Sequence, residues 1–101
     1  MEIKPTESFI WYVLKDKKIG DILISNVLLY TENNKSKYSA TVTNKSDKDV
    51  DVNLAIVFYE NEIKTEINPM DKVLKAKGKT NIEIIFEIDL TKITKIEYVL
   101  K

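Results

Sequence analysis

Three acids alternate with other residues in the middle of the chain, at Asp47, Asp49 and Asp51. A D-x-D-x-D series opens the calcium loop of an EF-hand, which continues with Gly at its sixth position and a bidentate Glu at its twelfth. Here those positions hold Val52 and Phe58. The series therefore predicts a solvated hairpin with its acids facing outward, and we expect no metal site.

Two further pairs of acids, Glu60 with Glu62 and Glu83 with Glu87, have the residue type that glycosidases use. That chemistry needs one carboxyl group with a raised pKa inside a cleft, whereas these acids flank a turn or lie at outward strand positions. The chain also contains no His and no Cys, so the commonest general base and the best nucleophile are both missing. We expect no catalytic residues, no cofactor and no enzymatic activity.

An aromatic cluster near the start, Phe9, Trp11 and Tyr12, is the candidate site for binding a partner. Such side chains can form a platform for a sugar or a peptide. Aromatic residues packed at the edge of a sheet are the commoner arrangement, and this alternative stays open.

Charge argues against nucleic acid as a partner. The 16 cations, all of them Lys, balance 16 acids, so no overall field attracts a polyanion. Without Arg, the planar fork for bidentate base or phosphate recognition is missing. Residues 72–79 (KVLKAKGK) form the one basic cluster. This cluster could touch a membrane surface or simply keep the protein soluble.

Residues 50–59 (VDVNLAIVFY) carry the clearest structural signal. Their apolar side chains recur with a period of two, which is typical of a strand with one face toward the core. Both faces become more apolar toward Tyr59, as in a strand that runs into the middle of a sheet. The predicted inward residues are Val50, Val52, Leu54, Ile56 and Phe58.

The remaining segments predict shorter strands joined by polar turns. A bulge is expected near Asn26, and Asn33 or Asn34 is expected to take a left-handed conformation. Asn68 and Pro69 are expected to end one strand. Strands are predicted at residues 10–14, 21–30, 37–44, 63–67, 80–88 and 95–101, a charged turn at 15–20, a loop or short edge strand at 70–77, and a corner of one helical turn at 90–94.

Seven to eight short strands predict an all-β fold, an antiparallel β-sandwich formed by a single domain over residues 1–101. Residues 1–20 form either an N-terminal strand region or a linker. The start, MEIKPTE, lacks the pattern of a signal peptide. The apolar run FIWYVL at residues 9–14 is too short to span a bilayer, so it is a strand or the stub of a membrane segment or linker.

Four stretches in order, TVTNKSDKDV, VNLAIVFYENE, LKAKG and TNIEIIF, make residues 22–100 resemble the FxLYD family of bacterial immunoglobulin-like domains. The resemblance implies an immunoglobulin-like sandwich in the cell envelope or a secreted protein, often tethered beside a membrane. Such domains act as binding or spacer modules, and the family supplies no catalytic residues.

Three functions are therefore expected in turn. The first is a non-enzymatic envelope or secreted module for protein interaction or spacing. The second is a domain that binds a small molecule or glycan through the aromatic cluster. The third is a small intracellular protein that associates with itself through a sheet edge. For any protein partner, we expect docking beside the less protected edge at residues 10–14, by strand addition or aromatic packing.

Overall fold

The structure, a computed structural model, describes residues 11–33 and 35–101, with Trp11 described by its backbone alone. Eight strands and one 3₁₀ turn make up the described part of the chain. In order they are β1 (Trp11–Leu14), β2 (Lys17–Ile19), β3 (Ile22–Glu32), β4 (Lys35–Asn44), β5 (Val50–Glu60), β6 (Ile63–Leu74), β7 (Lys79–Phe86), the 3₁₀ turn (Leu90–Lys92) and β8 (Lys95–Leu100).

The strands form two antiparallel sheets. The larger has the order β1-β3-β4-β7, with β2 also beside β3, and the smaller has the order β6-β5-β8. The molecule measures 20 Å in its shortest dimension, which suits two sheets about 10 Å apart with side chains between them. The predicted all-β antiparallel sandwich is confirmed.

The connections are those of an immunoglobulin-like Greek key. Strands β3 and β4 form a hairpin, as do β5 and β6, while the chain crosses between sheets after β4, β6 and β7. As a result β4 pairs with β7 and β5 with β8, which are the neighbours B–E and C–F of an immunoglobulin sandwich. In the described part of the chain no strand takes the place of strand G, which would lie against the outer edge of β8.

The alternation in β5 builds the centre of the core. Val52, Leu54, Ile56 and Phe58 are at most 1% exposed, because β5 is the middle strand of its sheet and turns this face toward the larger sheet. The Phe58 ring stacks on Phe86 with 4.6 Å between centroids and meets the Tyr38 ring edge-on at 6.0 Å. The predicted inward face is confirmed, although Val50 at the rim is only half-buried.

Asparagines supply three of the left-handed backbone positions. Asn26, Asn33 and Asn61 have φ angles of 53°, 53° and 58°, a region that Asn tolerates better than most residues. The pairing of β3 with β4 shifts register between Ser25 and Leu28, so the predicted bulge near Asn26 is confirmed. The predicted conformation of Asn33 is confirmed as well.

The prediction of a charged turn over residues 15–20 is wrong. Residues 17–19 form β2 and pair with β3, Lys17 opposite Ile24 and Ile19 opposite Ile22. Strand β3 has 11 residues and extends past the end of β1, so it has backbone groups left for a second short partner. The lysines of β2 are exposed at this edge, where charged side chains are tolerated.

The prediction that Pro69 ends a strand is also wrong, because β6 runs through it. Strand β6 pairs only with β5, and the register shifts there: Leu54 faces Met70 while Ile56 faces Ile67. Asn68 and Pro69 therefore lie together opposite one residue of β5, in a bulge. An edge strand needs no N–H donor on its outer side, and a bulge removes the need on the inner side.

Asn44, at the end of β4, ties two connections between the sheets together. Its side chain is 0% exposed, and its amide nitrogen donates to the carbonyls of Lys48, Leu74 and Lys75 at 2.7, 3.1 and 3.2 Å. Its side-chain oxygen accepts from the backbone N–H and the hydroxyl of Ser46 at 2.9 and 2.8 Å. One amide thus fixes the turn after β4 against the turn after β6.

Replacing Phe58 by Ala should destabilise the protein by about 3–5 kcal/mol, because the buried ring leaves a cavity between the sheets. Asp51→Ala, on the exposed face of the same strand, should change the free energy of unfolding by less than about 0.5 kcal/mol. Urea denaturation measures both. Equal stability of the two variants would contradict the assignment of the strand faces.

Asn44→Ala should cost roughly 2–3 kcal/mol, because it leaves buried carbonyl groups without a donor. The matched control is Asn81→Ala, an exposed residue whose side chain only accepts from Thr41, and it should stay within about 0.5 kcal/mol of the parent. Thermal or urea unfolding checks the pair. A loss for Asn44→Ala no larger than the control's would show that the two turns hold without it.

Candidate binding groove

A groove of about 760 Å³ opens on one side of the sandwich. One wall is the edge of the larger sheet at β1 and β2, and the other is the smaller sheet at β8, with the 3₁₀ turn at the side. Its apolar lining residues are Leu14, Leu29, Leu90, Ile93 and Ile96, with the rings of Tyr12 and Tyr98; the charged lining residues are Lys15, Asp16, Lys17, Lys95 and Glu97.

The groove exists because both sheets end here without covering one another. On the opposite side β6 and β7 approach closely: Lys72 Nζ lies 3.4 Å from Thr80 Oγ1, and the inward residues Met70 and Ile84 are 4% and 6% exposed. At the groove the inward residues of β8, by contrast, are only half-buried. They are Ile96, Tyr98 and Leu100.

The rim at β8 is electrostatically satisfied. Glu97 accepts a hydrogen bond of 2.5 Å from the Tyr59 hydroxyl and pairs with Lys95 at 3.0 Å. The Tyr59 hydroxyl and then Lys95 lower the pKa of Glu97, and the bond to Glu97 raises the pKa of Tyr59. Lys95 also lies 5.1 Å from the centre of the Tyr59 ring. These groups hold the outer face of β8 rigid.

Tyr98 connects the groove to the core. Its hydroxyl lies 2.7 Å from the hydroxyl of Tyr38, a ring that is fully buried. Burial raises the pKa of both phenols. The pair therefore stays neutral in the folded protein and fixes the angle at which the Tyr98 ring lines the groove.

The predicted aromatic site lies at this groove in one of its three members. Tyr12 is 44% exposed and lines the groove. Trp11 belongs to β1, where its backbone pairs opposite Tyr30, and Phe9 lies outside the described residues.

The alternating acids and the basic cluster meet each other. Asp47 pairs with Lys77 at 3.3 Å and Asp49 with Lys75 at 3.4 Å. Asp49 also accepts from the backbone N–H of Ala76 at 3.0 Å. In residues 11–33 and 35–101, no three acids come together as they would around a metal ion. The two charged turns are thus held to each other across the end of the sandwich.

The acid pairs do not form a cleft. Glu83 accepts from the Tyr30 hydroxyl at 3.2 Å, and Glu87 pairs with Lys35 at 2.9 Å. The contact with Lys35 lowers the pKa of Glu87, the opposite of what a general acid needs. Both residues lie on exposed positions.

Comparison with models of protein families, with curated proteins and with solved structures finds no match to this chain. The resemblance to the FxLYD family therefore stays an expectation from sequence. None of the helices in the described residues is long and apolar enough to cross a membrane.

Sequence reasoning did not find most of the groove. Leu90 and Ile93 were assigned to a corner, and Ile96 and Tyr98 to the inward face of the last strand, with no indication that they meet β1. The one available signal was the exposed aromatic character of the segment around Tyr12, since strand pairing decides which edges face each other.

Raising the pH above about 10 should destabilise the protein. The folded pKa values of Tyr38 and Tyr98 lie above the unfolded value, so the unfolded state loses its protons first and gains free energy of ionisation as the pH rises. The slope of unfolding free energy against pH between about 10 and 11 measures this. Tyr38→Phe removes one phenol and should make the slope shallower. An unchanged slope would contradict the assignment.

Proposed function

We propose that this protein is a non-enzymatic binding module that holds a segment of another protein in the groove between β1 and β8. The observation that carries the proposal is the half-buried apolar lining on one side of an otherwise closed sandwich. A partner would cover these side chains and remove apolar surface from water at about 25 cal/mol per Å².

The composition of the lining suits a polypeptide partner. Tyr12 and Tyr98 present rings with a polar end, and aromatic residues are enriched in the energetically dominant part of protein interfaces. The aliphatic side chains between them supply apolar contact, and charged residues surround the opening. An apolar centre with a polar rim is the usual anatomy of a protein interface.

An extracytoplasmic location, in the cell envelope or in a secreted protein, is part of the proposal. The resemblance to the FxLYD family supports it, since those domains serve as binding or spacer modules beside membranes. Protease treatment of intact cells that express the full gene tests this location. Degradation only after lysis would contradict it.

A small apolar molecule or glycan is the second candidate. The volume of the groove, about 760 Å³, lies within the range of roughly 300–1,000 Å³ that small-molecule sites have. A glycan array and a thermal-shift screen of amphipathic small molecules test this candidate. A hit that Tyr12→Ala abolishes would favour it over a protein partner.

For a polypeptide partner we expect peptides selected from a random display library to bind at least tenfold more weakly to Tyr12→Ala, because Tyr12 is exposed and lines the groove. Tenfold corresponds to about 1.4 kcal/mol, a typical loss for an aromatic interface residue. The matched control is Val73→Ala on β6, 53% exposed on the far side, which should change the dissociation constant by less than twofold.

Fluorescence of Trp11, the only tryptophan, reports binding in both variants, and Trp11→Ala, read by calorimetry, tests the neighbouring member of the predicted site. Sedimentation of the protein alone separates partner binding from self-association. Selected peptides that bind Tyr12→Ala as tightly as the parent, but lose affinity for Val73→Ala, would place the site elsewhere and overturn the proposal.

A further inference from the structure

The outer edge of β8 is an open hydrogen-bonding edge beside the groove. Strand β8 pairs with β5 alone among the described strands. The N–H of Lys101 donates to the carbonyl of Asn53 at 2.8 Å, and in an antiparallel ladder every second residue bonds to the same neighbour. Lys95, Glu97 and Val99 therefore bond toward β5, and the N–H and C=O groups of Ile96, Tyr98 and Leu100 point to the open edge.

The same three residues turn their side chains toward the sandwich interior, where they pack against the core while staying half-buried. A strand added to this edge would place each alternate side chain directly beside them, on the same face. Those side chains would enter the groove. Hydrogen bonding and apolar burial thus require the same ligand, an extended chain with a period of two.

The topology leaves room for this strand. The neighbours of β5 and β8 match strands C and F of an immunoglobulin sandwich, in which strand G lies on the other side of F. Here the corresponding position is the groove, bounded across the gap by β1 and β2. An added strand would take the position of strand G and close the sandwich.

Charge selects the ends of the ligand. Lys95 and Glu97 already pair with each other. Lys15 and Lys17 line the opposite wall and form no ion pair within the described part of the chain, with Asp16 as the one acid between them. The wall therefore carries an excess of one positive charge, which favours acidic residues beside the apolar positions of the ligand.

We propose that β8 binds an extended segment of a partner protein by strand addition, with aliphatic side chains at alternate positions filling the groove and acidic residues near Lys15 and Lys17. This inference rests on the proposed function and adds the mode of recognition and the chemistry of the partner. Main-chain bonds supply affinity and the alternate side chains supply specificity.

The probe is a capped nine-residue peptide with Val and Ile at alternate positions, Thr between them, and Asp and Glu at the ends. Amide hydrogen exchange followed by NMR should show at least tenfold more protection of Ile96, Tyr98 and Leu100 at saturating peptide. The amides of Lys95, Glu97 and Val99, which already bond to β5, should change little and serve as internal controls.

Two N-methylated peptides form the matched pair that leaves the protein unaltered. Residues opposite Ile96 and Tyr98 carry both the inward side chain and the edge-facing N–H, so N-methylation of the aliphatic residues should weaken binding at least tenfold. N-methylation of the Thr residues should change it less than threefold. A peptide with both acids replaced by Lys should bind more weakly than the parent peptide.

The outcomes separate this inference from the proposed function. Perturbation of Tyr12 and Leu14 without protection of β8, or equal binding of the two N-methylated peptides, would overturn strand addition and leave a groove that binds side chains. Protection of the β8 amides without peptide that rises with protein concentration would identify a second copy as the occupant and overturn the inference. Absence of binding at millimolar peptide would overturn it too, while peptides from the display library still test the function.

Discussion

The buried amide of Asn44 is the constraint on which the two-sheet arrangement depends. Both crossings from one sheet to the other, after β4 and after β6, pass beside it, and each would otherwise bury carbonyl groups without a donor. A backbone bond from the N–H of Asn44 to the carbonyl of Gly78 adds a third attachment, at the start of β7. The described residues contain no buried side-chain polar atom without a partner, and this one residue accounts for much of that near the crossings. Packing of Phe58 between the sheets requires that they be held in this relation.

Regular alternation was enough to predict the centre of the fold. Tyr38, Ala40 and Val42 on β4 face inward as expected, as do Ile82, Ile84 and Phe86 on β7. In both strands a shift of one residue would expose the whole apolar set, so the pattern leaves a single favourable register. The 3₁₀ turn was also predictable, since Asp89 precedes it and its carboxylate accepts from the N–H of Thr91. Local rules agree with the global structure wherever both faces of a strand have different surroundings.

Predictions failed where an element takes its structure from a neighbour. Strand β2 has two lysines in three residues and forms because β3 is long enough to pair with it. Pro69 is tolerated because it lies in a bulge on an edge. The groove depends on a contact between parts of the chain more than eighty residues apart, β1 and β8, whose proximity follows from the strand order. Tyr12 was found from its residue type, whereas Leu90 and Ile96 have ordinary core residue types and gave no sign of lining an opening.

The proline in β6 has a consequence for how this protein behaves at high concentration. An uninterrupted strand of 12 residues at the margin of a sheet would be a template for cross-β stacking, and short apolar segments without proline are the usual nuclei of fibrils. Pro69 and its bulge divide β6 into two short halves, and each half carries charges, such as Lys64 in one and Lys72 in the other. Fibril growth from this side is therefore suppressed by covalent structure, so the protein can keep β8 unblocked without presenting two adhesive margins and polymerising end to end.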